Sequence, residues 1–141
     1  DTYSDRKVSV VNLTGVTEDN TATSLTVNGE GGKSYINVEL NSVVGFEIYI
    51  TRLEVGGSSA TDGNYSYKNI KGVVRIDNAG TMLFVVGMTR NIGSIGVPGT
   101  SAMIDSASGT SITIQVSDRN NVTNVWSATV TLHQLTSNIS F

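Results

Sequence analysis

The stretch Asn124-Val125-Trp126-Ser127-Ala128-Thr129-Val130-Thr131-Leu132-His133-Gln134-Leu135, near the end of the chain, decides the fold class. Trp126, Ala128, Val130 and Leu132 alternate with Ser127, Thr129, Thr131 and His133. A period of two becomes one-sided burial only in an extended strand with one face toward a core. Thr110–Ser117 repeats it, with Ile112, Ile114 and Val116 set against Ser111, Thr113 and Gln115. Working back along the chain, strand-like runs recur at Lys7–Leu13, Ser24–Asn28, Ser34–Leu40, Val43–Val55, Tyr65–Asp77, Thr81–Met88 and Ser101–Asp105. Between them lie turn-forming clusters: Asn28-Gly29-Glu30-Gly31-Gly32, Gly56-Gly57-Ser58-Ser59, Asp77-Asn78-Ala79-Gly80 and Ser106-Ala107-Ser108-Gly109. Short connections of this kind join antiparallel hairpins. Eight or nine such strands predict an all-β, antiparallel two-sheet sandwich of jelly-roll type.

Composition agrees. Val, Ile, Thr, Tyr, Phe and Trp number 55, against 32 for Ala, Leu, Glu, Lys, Gln, Arg and Met. The first set packs on pleated sheets and the second builds helices, which excludes a helical bundle and disfavours a parallel α/β fold. The 141 residues and 14.9 kDa suit a single domain spanning 1–141, with a folded surface of roughly 7,000 Å² and about two-thirds of the unfolded surface buried. Charged residues are 15% of the chain and Ser, Thr and Asn supply 47 residues, so solubility rests on hydroxyls and amides. A net charge of −3 without a basic tract gives nucleic acid no electrostatic hold. No apolar run approaches the roughly 20 residues that span a bilayer, so no stable membrane insertion is expected. The start at Asp1, without Met, reads as an excised fragment or processed product.

A search for chemistry predicts a non-enzyme with no catalytic, cofactor-binding or metal site. His133 is the only His, it falls on the polar face of the last strand, and no nucleophile-elbow Gly-x-Ser-x-Gly occurs. Gly29-Glu30-Gly31-Gly32-Lys33-Ser34 ends like a phosphate loop, but Val27 stands where its first Gly belongs and a strand follows, so it reads as a hairpin turn. One His and no Cys leave no ordinary zinc or copper site. Asp118, Asn120 and Asn121 are clustered oxygen donors that a turn explains without a metal. Glu47 and Glu54 lie on opposite faces of one strand and cannot act as a glycosidase pair. Tyr65 and Tyr67 share a face and offer a stacking platform for a sugar, which supports the alternative of a bacterial adhesin or carbohydrate-binding β-sandwich module.

Thr81–Met88 departs from simple alternation. Met82, Phe84, Val86 and Met88 fill one face while Leu83 and Val85 make the other apolar too, so the strand wants cover on both sides. The second cover is either a loop of the same chain or a neighbouring subunit. Gly87–Gly99 reads as the longest loop, and with Ser117–Thr123 it offers the best polar groups for a ligand: Arg90 and Asn91 on the first, Arg119, Asn120 and Asn121 on the second. The guanidinium fork suits a carboxylate or phosphate.

The second half carries a resemblance. Gly72-Val73-Val74-Arg75-Ile76-Asp77, then Met82-Leu83-Phe84-Val85, then Gly109-Thr110-Ser111-Ile112-Thr113-Ile114-Gln115-Val116 close with Val125-Trp126-Ser127-Ala128-Thr129-Val130-Thr131-Leu132. This series resembles the carboxy-terminal β domains of tailed-phage tail proteins. Within them it is most similar to the head, or knob, of the tail needle of short-tailed phages, a homotrimeric tumour-necrosis-factor-like (TNF-like) jelly roll. The resemblance implies a trimeric tip of a virion tail needle or fibre, extracellular before host contact. Such a tip meets a host cell-surface component, a glycan or small acidic ligand, and assists penetration and DNA ejection. Together with the two-sided apolar strand Thr81–Met88 it predicts a trimer interface at Leu83 and Val85, and Asp1–Lys7 reads as the stub of an upstream coiled-coil shaft. The family supplies no binding motif to carry over onto this chain.

Overall fold

The computed structural model describes residues 4–28, 31–105 and 109–141. Ten strands follow one another, with no helix among the described residues: β1 Ser4–Thr17, β2 Thr23–Ser24, β3 Thr26–Val27, β4 Ile36–Asn37, β5 Ser42–Gly56, β6 Tyr65–Ile76, β7 Met82–Ile95, β8 Thr100–Asp105, β9 Ser111–Ser117 and β10 Thr123–Ser137. They form two antiparallel sheets. The larger has the order β3-β1-β10-β5-β6-β7; in the smaller, β9 pairs with β8 on one edge and with β2 and β4 on the other. Part of the order, β10-β5-β6-β7, is a Greek key: three hairpin-connected strands and a fourth that returns to lie beside the first. A jelly roll contains two such keys, and the ladders among the described residues spell one.

Period-two patterning builds the core. Ile112, Ile114 and Val116 of β9 face Trp126, Ala128, Val130 and Leu132 of β10 and Val44, Phe46, Ile48 and Ile50 of β5, all buried in one cluster. The segment expected as one strand at 24–28 instead serves both sheets. Thr23–Ser24 pairs with β9 and Thr26–Val27 with β1, and the fully buried Leu25 sits at the crossing. The strand expected at 34–40 reduces to Ile36–Asn37, extended by one bond from the Val38 amide to the Thr110 carbonyl. Asp77 Oδ1 accepts the amides of Ala79 and Thr81, closing the β6–β7 turn as an Asx turn. Gly29, Glu30 and the 106–108 part of the last turn cluster lie outside the described residues, as do 1–3 of the expected stub. Ser4–Lys7 of that stub are strand, paired with residues 134–137 of β10.

The stretch 87–99 is not the long loop that its Gly, Asn and Arg residues suggest. β7 runs on to Ile95, still paired with β6, and absorbs two extra residues as bulges, Gly87 between Val86 and Met88 and Ile92 between Asn91 and Gly93. Each bulge shifts the alternation by one. Met88 therefore opposes Lys71 and shares its face, opposite to Met82 and Phe84, which pack on the core. Gly72 makes the first bulge sterically feasible: a Cβ there would stand 2.3 Å from the Val85 carbonyl oxygen and 2.6 Å from the Phe46 ring.

Candidate functional site

Directly opposed residues of an antiparallel ladder point to the same face, so the registers of β1, β10, β5, β6 and β7 can be read across the large sheet as rows. On the face turned away from the small sheet, one end carries Arg6, Leu135, Val43, Arg75 and Leu83, followed by Val8, His133, Gly45, Val73 and Val85. At the opposite end stands Val16, Val125, Leu53, Tyr65 and Ile95, one residue from each strand. Between these apolar bands the face is mostly polar, with Asn12, Thr129, Tyr49, Asn69 and Arg90 in one row and Thr14, Ser127, Thr51 and Tyr67 in the next. The Tyr49 and Tyr67 rings stack with centroids 5.7 Å apart. A hydrogen bond to Glu47 raises the pKa of the Tyr49 hydroxyl above its usual value, reinforced by desolvation and by the Glu47 charge. Leu83 is 51% exposed and Val85 60%. Strand β7 is thus apolar on both faces, and the second stays largely exposed, the Phe141 ring lying over the neighbouring Arg75 with 5.7 Å from guanidinium carbon to ring centroid.

A second cluster closes one end of the sandwich, beneath the turn 118–122. The inward face of β5 carries Ile48 and Ile50 and then continues with Arg52 and Glu54, both buried. Arg52 Nη1 donates to Glu54 Oε1 at 3.0 Å and to Asn124 Oδ1 at 3.0 Å, and lies 3.4 Å from Asp118 Oδ2. Its Nε donates to Ser66 Oγ at 3.2 Å, while the buried Nη2 has no hydrogen-bond partner among the described residues. Asn124 Nδ2 donates to Asp118 Oδ2 at 2.7 Å, and the Thr61 amide donates to Glu54 Oε2 at 3.0 Å. Burial opposes ionisation of Glu54. The hydrogen bonds from the Thr61 amide and Arg52, with the charges of Arg119 and Arg52, outweigh it and hold the carboxyl below its usual pKa. Lys68 donates to the Gly99 carbonyl; desolvation and then the Arg52 charge lower its pKa, against the pull of Asp118. Beside this cluster the Trp126 indole donates to Thr17 Oγ1 at 2.8 Å. With both carboxylates engaged by arginines, the cluster binds β5, β6, β10 and two turns together. Its alternating charges give it cohesion and leave no carboxylate free to act as a base.

The five residues expected to bind a ligand do not meet. Arg90 stands on the outward face of β7, opposite Asn69. Asn91 opposes Lys68 and donates to Ser94 Oγ at 3.0 Å. Arg119 turns inward, its Nη2 bonded to Glu54 Oε1 and its Nε 3.4 Å from Asp118 Oδ1. Asn120 Oδ1 accepts the Asn20 amide at 3.2 Å. Asn121 takes a φ of 62° and its carbonyl accepts the Ser59 amide, so both asparagines shape turns. The expectation of a long loop at 87–99 is therefore corrected, since it is strand as far as Ile95, while Arg119 of the other loop bonds an internal carboxylate with 41% of its side chain exposed. The sequence pattern carries no signal for the role of Arg52, although its place two residues after Ile50 puts it on the core face. Tyr65 and Tyr67 do share the outward face, but Tyr67 stacks on Tyr49 rather than on Tyr65. Among the described residues no group of three His, Cys, Asp or Glu is placed to hold a metal ion.

No family model matches the chain, and no curated protein matches it either. Among solved structures, the chain is similar to the Acinetobacter baumannii phage AM24 tailspike protein, with a TM-score of 0.40 and 10% sequence identity. The match covers 92% of this chain and 26% of that one, so the chain spans about a quarter of the tailspike's length. A likeness of that degree carries no argument about role.

Proposed function

We propose that this chain is a non-enzymatic domain of a phage tail, the homotrimeric tip of a needle or fibre that meets a host cell-surface component as the genome is delivered. One observation carries the assembly part of this reading. Leu83 and Val85, the residues expected at a subunit interface, stand exposed on a strand whose other face already packs on the core. Burying each between protomers contributes roughly 1.5–3 kcal/mol. The assignment to a phage tail rests on the residue pattern of 72–135, and the non-enzymatic part on the absence of a complete catalytic motif in the sequence.

Light scattering on the purified chain tests the reading. About three times 14.9 kDa is expected, with Leu83→Asp reduced to a monomer of unchanged circular dichroism. A wild type that stays monomeric at all concentrations overturns it. For the host-contact part, the wild-type trimer is tested for binding to host outer-membrane extract; absence of binding removes the receptor-contact role.

A further inference from the structure

The second apolar band, Val16, Val125, Leu53, Tyr65 and Ile95, has no counterpart in the sequence pattern. Its members come from five strands and line up only through the sheet register. All are 39–56% exposed. An ordered apolar strip crossing five of the six strands of a sheet differs from the scattered single apolar residues that any surface shows.

The geometry points to one self-association face used over its full length, in which further copies of this chain cover the Leu83 band and the Leu53 band together. This deepens the homotrimer reading and rests on it. Area argues for the whole face. Five strands about 4.8 Å apart, over the roughly ten residues between the outer rows, span about 24 by 33 Å, or roughly 800 Å². Shared between the two neighbours of a trimer it gives each roughly 400 Å², at the low end of specific interfaces, so the whole face is needed and either band alone falls far short. Shape agrees. Three faces about 24 Å wide around a common axis each stand about 7 Å from it, close to the roughly 5 Å that side chains reach from a packed sheet, so Leu, Tyr and Arg side chains can fill the space.

The polar strip between the bands does not forbid such cover, because much of it is satisfied within the chain. Thr129 donates to Asn12 Oδ1 at 3.1 Å, Asn69 donates to the Ile48 carbonyl at 3.1 Å, and Lys71 lies 3.9 Å from Glu47. Groups paired in this way cost less to desolvate than open ones. Charge sets the expected response to salt. On this face Arg6, Lys71, Arg75 and Arg90 belong to β1, β6 and β7, while the central strands β10 and β5 carry only Glu47. Like-charged rims repel, and salt screens them, so association through this face tightens as salt rises; binding to an anionic surface would weaken.

The absence of cysteine makes the test direct. Single variants Leu53→Cys, Leu83→Cys and, as an exposed reference on the small sheet, Asn37→Cys are labelled with a water-soluble thiol reagent. Labelling is followed at a concentration where light scattering shows the trimer and after dilution, with Trp126 emission confirming the fold. Both face positions are expected to react at least about tenfold more slowly than the reference in the trimer. They should be released together on dilution and be better protected at high salt. Protection of Leu83→Cys with Leu53→Cys reacting at the reference rate overturns this inference and leaves the trimer standing. A monomeric wild type overturns both, and a monomer that instead binds anionic phospholipid vesicles assigns the face to a membrane.

Discussion

Replacing Glu54 by Gln probes the cluster that closes the end of the sandwich. The change keeps an oxygen for the Thr61 amide but removes the charge that faces both Arg52 and Arg119. Arg52, with 0% of its side chain exposed, is then left with only Asp118 as a counter-charge. Breaking a buried pair by removing one partner costs about 3–5 kcal/mol, because the surviving charge stays desolvated. With an unfolding entropy of roughly 2.1 cal/mol/K per residue, a chain of this length loses about 3 °C of Tm per kcal/mol, so a drop of about 10–17 °C is expected. Thermal melts followed by circular dichroism at pH 7 and fixed protein concentration measure it. Acid supplies a second reading of the same group. The Glu54 pKa is depressed by folding, so its contribution is full above the ordinary value of 4.5 and disappears as pH falls through the folded value. Wild type should therefore lose stability in acid more steeply than Glu54→Gln. A Tm change under about 3 °C, or parallel acid profiles, would refute the claim that this carboxylate holds the cluster together.

Other substitutions separate further parts of the structure. Arg52→Met should cost less than Glu54→Gln, since the unpartnered Nη2 leaves with the guanidinium while Arg119 still holds Glu54; comparing the two melts checks this. Thr17→Val strands the buried Trp126 indole N–H and should lower stability by about 1–3 kcal/mol in urea titrations followed by Trp fluorescence. Gly72→Ala forces a methyl group against the Val85 carbonyl and should destabilise by at least about 1–3 kcal/mol. Gly93→Ala, with nothing within 4 Å of its Cβ position, should stay within about 0.5 kcal/mol in the same assay.

Reading strands from alternation succeeds where one face meets the core and the other meets water. β9 over 112–116 and β10 over 126–132 satisfy that condition within the chain, and their inward residues there are those expected. Alternation fails in β7, where Gly87 and Ile92 each advance the chain without a partner. After each bulge the apolar and polar residues change faces, and a strand then looks like a Gly-rich loop. The charged cluster was hidden for a related reason. Hydrophobic patterning marks where apolar side chains go, whereas Arg52 and Glu54 are buried through mutual pairing, which depends on Asp118, Arg119 and Asn124 arriving from a turn and a strand far along the chain. The second apolar band is invisible for the same cause: its five residues are neighbours in the sheet register and strangers in sequence.

The pairing of β1 with β10, from Ser4 with Ser137 to Thr17 with Asn124, also shapes how the molecule reaches its fold. β1 leaves the ribosome well before β10 and finds its long partner only when β10 has emerged, so the centre of the large sheet closes late. Until then β5, β6 and β7 can assemble as a local meander, but β5 presents to water the edge that β10 will occupy. Contacts this distant in sequence slow folding, and an open strand edge is where chains join to one another. Until β10 arrives, the open β5 edge of any other copy of the chain competes with the chain's own β10 for pairing.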